Sequence, residues 1–158
     1  MLESLESSAF SAWVRADLWG WPMALTLHAL GTALTVGVIF VIGLRLLGLF
    51  ELIPYSSLHK LFPAIWLGLA LQLVSGFVLW TAKPTRYVAD GAFVLKTLLV
   101  IAGVVVTVWF YGMVKREAGS WEKNGAASSR VIGLAAAALI IWSTVVITGR
   151  LTGYLGAI

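Results

Sequence analysis

The sequence predicts an all-α integral membrane protein, a four-helix up-down bundle preceded by an interfacial amphipathic helix. Of its 158 residues, 60% are hydrophobic and 11% are charged, and its mean hydropathy is +0.96, which lies outside the range of soluble domains. Four apolar stretches also reach the length of about 20 residues that a bilayer requires. Because no polar stretch is long enough to build a second core, residues 1–158 are predicted to form one domain.

The predicted elements follow one another along the chain. Residues 6–19 interleave aromatic and polar side chains, a pattern typical of a helix that lies in the membrane interface. Spanning segments are predicted over residues 21–48, 62–81, 92–114 and 131–149. These segments must be helical because lipid offers the backbone no hydrogen-bond partner. The short connections between them favour antiparallel neighbours.

Charge and cysteine content exclude several classes of protein. The eleven Lys and Arg residues are scattered at the ends of apolar runs, so no basic surface for nucleic acid is expected. More of them flank the first and third loops, which predicts a bacterial inner membrane protein with both termini in the periplasm. The N-terminus lacks the pattern of a secretory signal and is expected to stay on the mature protein. Without cysteine the chain has no disulfide, no thiolate ligand and no covalent haem link.

The polar residues inside the spans are the candidates for function, since ionisable groups there are costly. His28 lies about 10 Å below the interface at which the first span begins. Lys96, near the start of the third span, is expected at a similar depth. Ser75 and Gly76 approach that level from the second span, and Arg150 ends the fourth. These five residues are predicted to converge in the outer leaflet.

This group of residue types has the chemistry that haem b requires. The imidazole of His28 would bind iron, Gly31 and Gly76 would make a flat slot for the porphyrin, and Lys96 or Arg150 would pair with propionates. The residues also allow a simpler interpretation. Small and hydroxyl side chains let helices pack closely, and the imidazole would then bond to a carbonyl or to Gln72.

The second histidine, His59, follows the first loop and is predicted near the opposite interface. The helical rise separates it from His28 by roughly 25 to 30 Å, so the two cannot share a metal within one monomer. We interpret His59 as a residue that faces water or lipid headgroups.

Longer fragments of the chain resemble a known group of proteins. "HALGTALTVGVIFVIGLRLLG", "VSGFVLW", "YVADGAFVLKTLLV" and "GRLTGY" are similar to a small bacterial four-helix membrane protein family of unknown function, over nearly the whole chain. More distantly, the chain resembles HemJ-type protoporphyrinogen oxidases and CopD-type haem membrane domains. The residues that carry this resemblance are His28, Gly31, Arg45, Ser75, Gly76, Tyr87, Phe93 and Lys96.

The HemJ-type resemblance implies haem b ligation at His28 and an essential catalytic role for Lys96. This chain departs from the HemJ pattern in two places, because that pattern has histidines after the arginine of the first span and near the lysine of the third. Here residues 46–50 and 94–95 hold other side chains.

The leading hypothesis is a haem b membrane protein, an oxidoreductase if it is an enzyme, that transfers electrons or oxidises a small lipophilic donor such as a quinol or a porphyrinogen. Its iron would be five-coordinate, or completed by Lys96, Tyr154 or a second subunit. The alternative is a non-catalytic anchor or scaffold in a homo-oligomer or a larger membrane complex. A carrier or channel is a third class, which the continuous spans without acidic pairs do not favour.

Overall fold

A computed structural model describes the backbone of residues 2–155 and the side chains of residues 2–151. This part of the chain is helical and contains no strand. Its helices are α1 (Leu2–Glu6), α2 (Ala9–Ala16), α3 (Gly20–Leu46), a 3₁₀ helix (Tyr55–Leu61), α4 (Phe62–Thr81), α5 (Pro84–Ala89), α6 (Gly91–Asn124) and α7 (Ser129–Leu155).

Four of these helical segments are long and apolar enough to cross a membrane. They are α3, the 3₁₀ helix with α4, α6 and α7, so the four predicted spans are confirmed as helices. The length and composition of these segments indicate a multi-pass membrane protein in a lipid bilayer.

The limits of the helices differ from the prediction where polar residues continue a helix. The predicted third span ends at residue 114, but α6 runs on to Asn124. Charged residues in this extension are good helix formers, and Trp121 and Ala118 of the extension are buried. The helix ends where Gly125 adopts a left-handed conformation with φ of 73°.

The N-terminal segment contains two short helices, of which α2 covers residues 9–16 of the helix predicted over residues 6–19. The side chain of Ser8 accepts a hydrogen bond from the backbone of Ser11 and so begins α2. Asp17 ends it, and its carboxylate accepts hydrogen bonds from the backbone N–H groups of Trp19 and Gly20 at the start of α3.

The long helices pack as two pairs. Along α3 and α4, His28 meets Ser75 while Thr35 meets Ile65, so the two helices run in opposite directions. Between α6 and α7, Thr107 accepts a hydrogen bond from the indole N–H of Trp142 at 3.1 Å. The pairs join where α3 packs on α7, with Gly43 against Leu139.

The buried apolar core lies in only one half of this bundle. It is built around large side chains with no exposed surface, among them Phe62, Phe110 and Trp142. On α6 the first buried residue is Gly103, so the segment that carries Lys96 contributes none. The other half of the bundle, toward the start of α3, therefore contains fewer large buried apolar side chains.

Candidate functional site

The candidate site lies where α3 crosses α4 at two glycines. A Cβ placed on Gly31 would come within 2.8 Å of the carbonyl oxygen of Gly68, and one on Gly68 would come equally close to the carbonyl oxygen of Gly31. Such an approach of two backbones requires glycine on both helices. Gly31 thus lies in the helix crossing, and this contact brings His28, one turn earlier, against α4.

His28 is half-buried and is oriented by a short chain of hydrogen bonds. Its Nδ1 lies 3.1 Å from the hydroxyl oxygen of Ser75. Ser75 itself is buried, and its hydroxyl donates to the backbone carbonyl of Leu71 at 2.5 Å. Because the serine proton is used on Leu71, the serine oxygen accepts from His28, and Nδ1 carries the proton. In the neutral imidazole, Nε2 then holds the free lone pair.

Gly76 leaves room for the flat face of this imidazole. A Cβ at position 76 would lie 3.3 Å from Cε1 and 3.6 Å from Nδ1 of His28. Such contacts are tight, so a larger residue would press on the ring. Ser75 and Gly76 act together: one bonds the ring nitrogen and the other accommodates the ring.

Gln72 of α4 lies one turn from Ser75 and carries a buried polar atom without a partner. Its side-chain Nε2 has no hydrogen bond among the described residues, whereas its Cγ lies in the Gly31 crossing. A buried amide N–H without an acceptor is costly. The backbone of Gln72 also hydrogen-bonds the imidazole of His28, so the expected bond to Gln72 is formed through its backbone, beside the bond to Ser75.

Lys96 reaches the same end of the bundle from α6. Its side chain is partly buried and lies against α7, where a Cβ on Gly149 would be 3.3 Å from both Cε and Nζ. Its charge is close enough to interact electrostatically with His28. Within the described part of the chain, no hydrogen bond or ion pair engages the ammonium group.

Arg150, Tyr154 and His59 are the other polar residues that the sequence singles out. Arg150 is exposed at the end of α7, and the side chain of Tyr154 lies outside the described residues. His59 is exposed in the 3₁₀ helix, at the opposite end of α3 from His28. The structure thus brings together His28, Ser75 and Gly76, with Lys96 beside them.

Two contacts of the site were not anticipated from the sequence. The carbonyl of Leu71, which orients Ser75, is a backbone group. Every residue has such a group, so the sequence does not indicate which one Ser75 bonds. Gly149 lies against Lys96. A small residue near the end of a span is a sequence pattern that can indicate close helix packing. The pairing of Gly149 with a residue of another helix depends on how α6 and α7 pack.

The side-chain donors present at the site define its chemistry. Within residues 2–151, no three or more His, Asp, Glu or Cys side chains come together as a group able to hold a metal ion. Axial ligation of a haem iron by one imidazole does not require such a group. Comparison with family models, curated proteins and solved structures finds no match for this chain. The resemblances drawn from the sequence therefore stay predictions.

Proposed function

We propose that this chain is a multi-pass protein of a bacterial inner membrane that binds haem b through His28. It would transfer electrons or oxidise a small lipophilic donor such as a quinol or a porphyrinogen. Bound haem would supply one-electron chemistry at its iron. In this proposal Lys96 is the catalytic residue or the partner of a propionate.

The hydrogen-bond chain from Leu71 through Ser75 to His28 is the observation that carries the proposal. A histidine that ligates a metal commonly donates its second ring N–H to a protein oxygen, which fixes the tautomer and the ring orientation. Here Nδ1 donates to the Ser75 oxygen, and Nε2 is the nitrogen left for iron.

The surroundings of His28 also fit the cofactor. The apolar core stops short of this level, and Gly76 lets the imidazole ring lie close against α4. The unpaired ammonium of Lys96 would be stabilised by an anionic propionate. Lys96, Tyr154 or another subunit would supply any further protein ligand to the iron.

The proposed topology places the site in the outer leaflet. An up-down order of the four spans puts both termini in the periplasm, with the larger share of basic residues on the cytoplasmic side. Trp13 and Trp19 are exposed beside the start of α3, where indole rings suit the membrane interface. In this topology His28 lies within reach of lipophilic donors in the bilayer.

Absorption spectroscopy of the purified full-length protein tests the proposal. Haem-replete cells should yield coloured protein with a Soret band and a reducible α band. His28→Ala should remove both bands, because the proposed imidazole ligand of the iron is lost. His59→Ala is the matched control and should retain both. Circular dichroism and size-exclusion profiles of the variants should match those of the unchanged chain.

The alternative function is a non-catalytic anchor or scaffold in a homo-oligomer or larger complex. The wide apolar face of α6 favours it, since Trp109 is 64% exposed in the middle of a spanning helix. A colourless, folded preparation from haem-replete cells would eliminate the haem proposal and leave this one. Substituting Trp109 should then weaken assembly with partner helices.

A further inference from the structure

A second candidate site lies outside the membrane spans, beside the start of α3. An open cleft of about 440 Å³ separates the N-terminal helices from the connection between α4 and α5. It is a shallow depression open to the surroundings rather than an enclosed cavity. The cleft is lined by Glu3, Glu6, Ser7, Arg15, Lys83 and Thr85.

One wall of the cleft is fixed by buried hydrogen bonds to the end of α4. Ser11 has no exposed surface, and its hydroxyl donates to the carbonyl of Thr81 at 2.8 Å. Arg15 donates through Nη1 to the carbonyl of Ala82 at 2.6 Å and to Ser11 at 2.7 Å. These bonds use only Nη1 of Arg15. In the described part of the chain its Nη2 and Nε donate to no other group, so they are available to a ligand.

The other wall is held by Glu6, whose carboxylate accepts hydrogen bonds from the backbone and the hydroxyl of Thr85. The side chains of Glu3 and Lys83 have no hydrogen-bond or ion-pair partner in the described part of the chain. The cleft therefore presents two carboxylates and two cations that form no ion pair with one another in the described part of the chain. A ligand that matches it carries both a positive and a negative group.

The surroundings of the cleft place this ligand at a membrane surface. Leu18 is 79% exposed and Trp19 is 66% exposed in the segment that joins α2 to α3. Phe10 and Trp13 of α2 are also about half exposed. Aromatic side chains of this kind favour the interface between headgroups and acyl chains. Acyl chains of a lipid bound in the cleft would extend along these apolar side chains.

We propose that the cleft binds the phosphoethanolamine headgroup of a phospholipid. Arg15 and Lys83 would bind the phosphate, and the primary ammonium would donate hydrogen bonds to Glu3 and Glu6. A choline headgroup has no N–H to donate, and a glycerol headgroup has no cation for the carboxylates. The site is separate from His28 and does not depend on haem.

Native mass spectrometry of the full-length protein in detergent tests this proposal. The protein is mixed with equal amounts of phosphatidylethanolamine, phosphatidylcholine and phosphatidylglycerol that have the same acyl chains. We expect it to retain phosphatidylethanolamine in preference to the other two. Glu3→Gln should lower that retention about two- to fivefold, the effect of losing one exposed ion pair, and leave phosphatidylglycerol unchanged.

Lys83→Ala should lower the retention of all three lipids, because each carries a phosphate. Glu51→Gln and Lys60→Ala are matched controls, since both residues are exposed at the opposite end of the bundle, and retention should not change. Glu3 and Lys83 are exposed without side-chain bonds, so the variants should melt like the unchanged protein and keep any haem spectrum.

Equal retention of phosphatidylcholine, a preference for phosphatidylglycerol, or the same loss in the controls would overturn the proposal. Soluble phosphoethanolamine distinguishes the two sources of this headgroup. It should fail to displace the lipid at equal concentration, because it lacks acyl chains. Displacement at that concentration would overturn the assignment to a lipid.

Discussion

The two ends of the bundle differ in whether their buried polar and charged side chains have bonding partners. At the end with the 3₁₀ helix, the buried Arg45 lies with its guanidinium carbon 3.9 Å from the ring centre of Tyr55. It also donates to the carbonyl of Ile53 at 2.5 Å. At the other end, Lys96 has no bond partner among the described residues, and Nε2 of Gln72 lacks an acceptor.

This difference suggests that the Arg45 end stabilises the fold and that the His28 end binds a ligand. Aromatic side chains pack at the Arg45 end, where Tyr55 meets Trp121 edge to face at 6.1 Å, and the buried charge there, that of Arg45, is bonded within the protein. The His28 end has polar groups but little apolar core. Since an unsatisfied polar group in a membrane is costly, it marks a place where a ligand would be stabilised. The first end therefore supports the fold, and the second is free to bind.

The largest effect is expected from shortening a core side chain at the closed end. Phe62 has no exposed surface and packs 4.8 Å from Tyr111, measured between ring centres. Phe62→Ala should lower the free energy of unfolding by about 3–5 kcal/mol. Phe77→Ala, at a 59% exposed position of the same helix, should change it by less than about 1 kcal/mol. Denaturant titration in detergent, followed by circular dichroism, measures both; equal losses would contradict the comparison.

A smaller loss is expected at the crossing between the two ends. A Cβ on Gly68 would lie 2.8 Å from backbone atoms of α3, so Gly68→Ala must push the helices apart, at a cost of about 1–3 kcal/mol. Gly37 has open space around its Cβ position, and Gly37→Ala should be neutral or slightly stabilising. The same unfolding titration compares the two variants, and a neutral Gly68→Ala would show that the crossing is looser than described.

The mildest change tests how the open end orients its imidazole. Ser75→Ala removes the partner of Nδ1 and should weaken haem binding about 10- to 100-fold, as loss of such an outer partner does. Ser143→Ala is the matched control, since that hydroxyl bonds only the carbonyl of Leu139 on α7. Haem titration of the apoprotein, followed by the Soret band, gives both affinities. An unchanged affinity in Ser75→Ala would show that the hydrogen bond does not contribute to haem binding.

The sequence by itself determined the four spanning helices, because the length and polarity of each apolar stretch are local properties that lipid forces into helix. It also pointed to His28 and Lys96, since an ionisable residue in a span is visible without any contact. The helical extension to Asn124 was missed, because its polar residues resemble a loop until Trp121 is seen packed on Tyr55.

Only the tertiary structure decided the partners of those residues. Ser75 is 47 positions from His28, and Gly149 belongs to the last helix, so their contacts depend on which helices meet and at which level. The glycine pair at the crossing of α3 and α4 sets that level for His28. The cleft between α1, α2 and α5 likewise exists only because Ser11 and Arg15 bond the end of α4. Such bonds join residues distant in sequence, and local patterns do not encode them.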